Sequence, residues 1–119
     1  MDDLITLYRP VGEKELALIE HSGFEDFPPR LAEQPIFYPV LNEEYARQIA
    51  RDWNARLNDD RTGYVTTFKV RREFIEKYER HVVGGSMHEE YWIPAEDLKE
   101  FNKNIVGKIE VIDSFKGSE

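Results

Sequence analysis

Ala46, Ile49, Ala50, Trp53 and Leu57 stand at positions i, i+3, i+4, i+7 and i+11 of one stretch, behind Asn42 and the acidic pair Glu43-Glu44. That spacing puts the apolar side chains on one side of an α-helix, and an Asn followed by acids is a usual way for a helix to start. A single apolar stripe cannot be buried by its own helix. It needs another apolar surface, and the strand-like runs elsewhere in the chain make a sheet the expected partner.

Strand-like runs are spread along the sequence. Leu4 to Arg9 alternates and is closed by Pro10; Ile36 to Leu41, Tyr64 to Val70 and Lys108 to Phe115 read as further strands. In the third run Tyr64, Thr66, Phe68 and Val70 share a face, and in the last Ile109, Val111 and Phe115 do so. His81-Val82-Val83 and Glu90 to Ile93 flank Gly84-Gly85-Ser86, which predicts a hairpin. Further helices are predicted over Glu13 to Glu20, with Gly23 as its C-cap, over Arg72 to Tyr78, and over Ala95 to Asn102 behind Pro94. Phe24 to Pro35, with Pro28-Pro29, reads as an irregular loop, and Asn58 to Gly63 as a turn cluster. The order β-α-β-α-β-α-β-β-α-β with hairpin-like joins predicts an α+β fold in a single domain over 1–119.

Composition bounds the function. A formal charge of -8 argues against nucleic acid as a non-specific partner, because phosphate binding needs a basic face. The basic residues interleave with the acids, which leaves room for a local pocket that takes one small phosphate ligand. The chain has no cysteine, which excludes disulfides, thiolate metal sites and a cysteine nucleophile. His21, His81 and His88 are too scattered for a zinc spacing, and no metal is expected. No apolar stretch approaches the ~20 residues of a membrane span. The N-terminus lacks the basic and apolar regions of a signal peptide, and a cytoplasmic location is the default expectation.

The chemistry concentrates at Glu89-Glu90-Tyr91-Trp92-Ile93-Pro94. An ionised carboxylate on a core strand lies either at the solvent edge or against a cleft. Glu89 and Glu90 point to opposite faces, whereas His88, Glu90 and Trp92 share one.

Three segments together resemble the ADP-ribosyltransferase superfamily, enzymes that cleave NAD in the cleft of a split, mainly antiparallel sheet. More narrowly, Thr6-Leu7-Tyr8-Arg9-Pro10-Val11-Gly12 and the run from Gln34 to Arg47 are similar to small bacterial proteins labelled "ADP-ribosylation/crystallin". The chain is too short and too β-rich for the large helical hydrolases to which the second half of that label points. The resemblance implies that Arg9 on the first strand holds the NAD diphosphate. It implies that Tyr38 packs on the nicotinamide side. It makes Glu90, followed by three hydrophobic residues and a proline, the catalytic acid. Arginine-modifying members carry a second Glu or Gln two positions earlier; His88 stands there instead, which argues against arginine as the acceptor, and His88 itself reads either as a donor to a ribose hydroxyl or, more simply, as a residue at the hairpin end. The implied activity is transfer of ADP-ribose from NAD, the substrate, to a protein acceptor or to water.

Each of these residues also has a plain reading. Glu90 fits a solvent-facing strand edge, Arg9 a salt bridge with one of the chain's 24 acids, and Tyr38 simple core packing beside Phe37. The corresponding alternative for the whole chain is a non-catalytic module that binds a nucleotide, an ADP-ribosylated partner or another protein.

Overall fold

A computed structural model of the chain describes residues 3–29, 35–54, 62–82 and 89–116. Within them the elements run β1 (Leu4–Val11), α1 (Glu13–His21), β2 (Ile36–Phe37), α2 (Glu43–Ile49), β3 (Thr62–Arg71), α3 (Arg72–Ile75), β4 (Arg80–Val82), β5 (Glu89–Tyr91), β6 (Ile93–Pro94), α4 (Leu98–Lys103) and β7 (Ile105–Lys116). The architecture is α+β, with antiparallel strand pairing throughout and short helices.

The strands form two halves. In the first, β3 lies between β1 and β7. In the second, residues 36–41 run against residues 89–94 in one register: Ile36 faces Pro94, Phe37 faces Ile93 and Val40 faces Glu90. The same register sets Tyr38 opposite Trp92, and β4 closes the far side by pairing with β5. Among the described residues the ladders of the two halves are joined by a single pair, Tyr8 with Val40, which exchange backbone hydrogen bonds of 2.9 and 2.8 Å.

Two local sequence features limit that junction to one pair. On one side the helix start at Asn42 ends the extended chain; its side-chain carbonyl accepts from the Tyr45 N–H at 3.0 Å. On the other side Pro10 has no N–H to offer at the next hydrogen-bonded position, where the Tyr38 carbonyl would accept it. Pro10 was expected to close the first strand. Instead β1 runs on to Val11, because the nitrogen of Pro10 faces away from β3 and costs that ladder nothing.

Both faces of the sheet are covered. One carries the main core of Leu7, Val11, Ile19, Phe37, Phe68, Val70, Ile75, Tyr91, Ile93, Leu98, Phe101 and Ile109. Phe27, placed by sequence in an irregular loop, is buried at its centre with ring centroids 4.9 Å from Phe68 and 5.0 Å from Phe37. Reciprocal 3.0 Å hydrogen bonds between its backbone and the Asn102 side chain pin that loop to α4. The other face carries a smaller core of Val40, Ala46, Ala50 and Val65 beneath α2, flanked by Tyr8, Tyr45, Ile49, Ile112 and Phe115.

The predicted stripe is thus realised at Ala46, Ile49 and Ala50, but the helix widens into π-type turns over Ala50–Asn54. The Trp53 side chain and Leu57 lie outside the described residues, as do the tip of the predicted hairpin and most of the Asn58 to Gly63 turn. Gly63 itself is in β3, which begins at Thr62. In β7 the expected common face of Ile109, Val111 and Phe115 is broken. Register shifts opposite β3, between Val65 and Thr66 and between Thr67 and Lys69, turn Phe115 to the α2 side, while Ile109 stays in the main core and Val111 is exposed. The predicted Gly23 cap lies one residue past the actual cap, Ser22, in the left-handed conformation at φ 80°, where its N–H donates to the Glu20 carbonyl.

Candidate functional site

Paired residues on adjacent antiparallel strands point to the same face, so one row can be followed across both halves: Thr67, Tyr8, Val40, Glu90 and His81. That face is the one α2 covers. Glu90 therefore points inward, beside the rim of the smaller core, and only 8% of its surface is exposed. Both carboxylate oxygens are held. Oε1 accepts from the indole Nε1–H of Trp92 at 2.7 Å, and Oε2 accepts from the Tyr45 hydroxyl at 3.3 Å.

Two aromatic side chains, Trp92 and Tyr45, hold this carboxylate, and two more pack on Trp92. Trp92 shares the face because it is two residues along the same extended segment. His81 stacks on its indole, with centroids 3.9 Å apart and planes 12° from parallel. Tyr38 meets the indole edge-on at 6.3 Å, as the register requires. Tyr38 and Trp92 are each 40% exposed, so a buried acid sits at the foot of an open aromatic surface. Tyr38 is not the core residue that its neighbour Phe37 is.

Tyr45 falls inside the run from Gln34 to Arg47, and the sequence alone gives it no role. Its position one residue before Ala46 and four before Ile49 brings it to the sheet side of α2, within reach of Glu90. Burial, and then the charge and hydrogen bond of Glu90, push the pKa of the Tyr45 phenol above its ordinary 10.0. The phenol accordingly keeps its proton, and its role as donor, well into the alkaline range.

Arg9 is on the other face. It follows Tyr8 in β1 and therefore points away from Glu90 into the main core, 8% exposed, with its guanidinium 4.5 Å from the Phe37 ring centroid. Nε and Nη2 donate to the two oxygens of Glu15 on α1 at 2.8 and 3.1 Å, a forked ion pair. Nη1 donates to the Tyr38 carbonyl at 3.4 Å, the acceptor that Pro10 leaves without a backbone donor. The expected convergence of Arg9 with Glu90 is thus not what strand alternation produces: Tyr38, Glu90, Trp92, His81 and Tyr45 come together, and Arg9 touches this group only through the Tyr38 backbone. His88 lies outside the described residues.

A separate groove of about 630 Å³ opens between the end of α1, the Phe27 loop and α4, lined by Leu18, Phe27, Pro28, Pro29, Leu98 and Lys99 among others. Pro28-Pro29 thus rims this groove, and neither Arg9, Tyr38 nor Glu90 belongs to it. Among the described residues no group of three or more His, Asp or Glu side chains could hold a metal ion, and no helix is long and apolar enough to cross a membrane. Comparison with protein families, curated proteins and solved structures gives no match for this chain.

Proposed function

We propose that the chain is an ADP-ribosyltransferase-like domain that takes NAD as substrate on the face of Tyr38 and Glu90 and cleaves its nicotinamide–ribose bond. The observation that carries this reading is Glu90: a carboxylate drawn in from solvent, fixed through both oxygens, at the foot of exposed aromatic rings. The nicotinamide ring of NAD is flat and cationic, which suits the exposed Tyr38 ring and the field of a buried anion. As the C1′–N bond breaks, its electron pair leaves with nicotinamide and positive charge develops on the ribose. A carboxylate already in place stabilises that charge without having to reorganise. Water or a protein acceptor then forms the new C1′–O bond and releases a proton. The narrow junction between the two half-sheets is in keeping with the split sheet that this reading implies.

A second reading, a module that binds a nucleotide without turning it over, is favoured by Arg9. Its guanidinium is committed to Glu15 on the opposite face, so β1 offers no cation to a diphosphate lying near Glu90. Both readings expect NAD to raise the melting temperature through ligand linkage. Nicotinamide release separates them. The transferase reading expects measurable release by the wild-type protein and a loss of about 10²-fold or more in Glu90→Gln, with folding retained. Equal background rates in the two proteins, alongside a thermal shift with NAD, establish the binding module instead.

A further inference from the structure

We infer that Trp92 is the residue that positions Glu90, and that His81 holds Trp92 in place to do so; the inference rests on the reading of Glu90 as the reacting carboxylate. A carboxylate turns freely about its last side-chain bond unless donors fix it. Tyr45 donates to one oxygen at 3.3 Å, whereas the indole N–H of Trp92 reaches the other at 2.7 Å, the shorter contact. An indole has a single N–H with a single direction, so the aim of the carboxylate follows the plane of the Trp92 ring.

That plane is not set by the core. Trp92 is 40% exposed, unlike its buried neighbours Tyr91 and Ile93. What holds it is the imidazole of His81, stacked at 3.9 Å and 12°, with the edge-on Tyr38 ring as the other wall. His81 is fixed in turn because β4 pairs it directly with Glu90, and the diagonal from that position leads to Trp92. The line of dependence is therefore backbone ladder, imidazole, indole, carboxylate. Trp92 acts through Glu90 and His81 through Trp92; neither is assigned contact with the reacting atoms.

The indole proton of Trp92 reports on this without any substrate. In the protein alone, its NMR resonance is expected far downfield and slow to exchange. Glu90→Gln shifts it upfield, His81→Ala broadens or shifts it, and His81→Phe, which keeps a flat ring without the imidazole nitrogens, brings it back towards its original position. In nicotinamide release, Trp92→Phe lowers kcat about tenfold while KM for NAD stays within about twofold. His81→Ala gives the same pattern and His81→Phe recovers most of the loss. An indole resonance indifferent to Glu90→Gln, or a Trp92→Phe defect that appears in KM with kcat untouched, overturns the inference even in an active protein. A wild-type protein that releases no nicotinamide, but whose indole proton answers both substitutions, overturns the enzymatic reading and leaves the positioning contact standing.

Discussion

Arg9 shows how a single side chain can look like a ligand-binding group and be used as a fastener. A guanidinium has five N–H donors and cannot shed its charge, so burying one demands a counter-ion and carbonyls around it. Glu15 supplies the first and Tyr38 the second. Glu15→Gln leaves the charge enclosed and uncompensated, and is expected to cost on the order of 3 kcal/mol in urea unfolding. Because Arg9 faces away from Glu90, the same substitution should leave NAD affinity unchanged in the fraction that is folded. Tyr78 gives a second expectation at this scale. Burial, with a 2.8 Å hydrogen bond to Asp97 and its charge, pushes its pKa up to about 12 from 10.0. A folded-state value raised in this way means that the native state holds the proton more tightly than the unfolded one. The stability it contributes is full below pH 10.0 and drains away as pH rises towards about 12. Tyr78→Phe should therefore cost about 1 kcal/mol at neutral pH and flatten the alkaline decline in thermal unfolding curves between those two values.

At the scale of elements, α2 is the part whose existence depends most on local chemistry. Its Asn42 cap satisfies an N–H that the helix cannot, and Arg47 ties it by ion pairs to Glu43 on the same helix and to Asp113 on β7. Asn42→Ala is expected to lower stability by about 1 kcal/mol, read as a shift in the urea midpoint with an unchanged slope. Such a helix is legible in the sequence because its period and its cap are both properties of neighbouring residues. Strand existence was legible for the same reason, and so was the sharing of a face by Glu90 and Trp92, two positions apart. What stayed hidden depends on partners far along the chain. The bulges that turn Phe115 over are set by the match between β3 and β7, not by β7 alone. Phe27 stands among loop residues with no period to betray it, yet its ring is central to the core. The stacking of His81 on Trp92 follows from the register of β4 against β5, which no short stretch of sequence displays. Arg9 and Glu90 were each placed on a strand correctly, but their faces could be compared only once the row through Tyr8 and Val40 was known.

The molecule as a whole is a sheet packed on both sides, and its aromatic residues divide accordingly. One set, Phe27, Phe37, Phe68, Phe74 and Phe101, joins strands of both halves to α3 and α4 within the main core. The other gathers on the α2 face, Tyr45 and Trp92 on the acid itself and Tyr38 and His81 on the Trp92 ring. Removing the central ring by Phe27→Ala should cost about 3–5 kcal/mol in global unfolding, because the cavity is walled by both halves and neither can collapse into it alone. The narrowness of the junction has a consequence of its own. An imino acid at position 10 forbids the rung that would otherwise zip the half-sheets further together, and a guanidinium from the neighbouring position caps the carbonyl left over. Two residues side by side thus act as a doorstop: one keeps the gap from closing, the other keeps it from fraying.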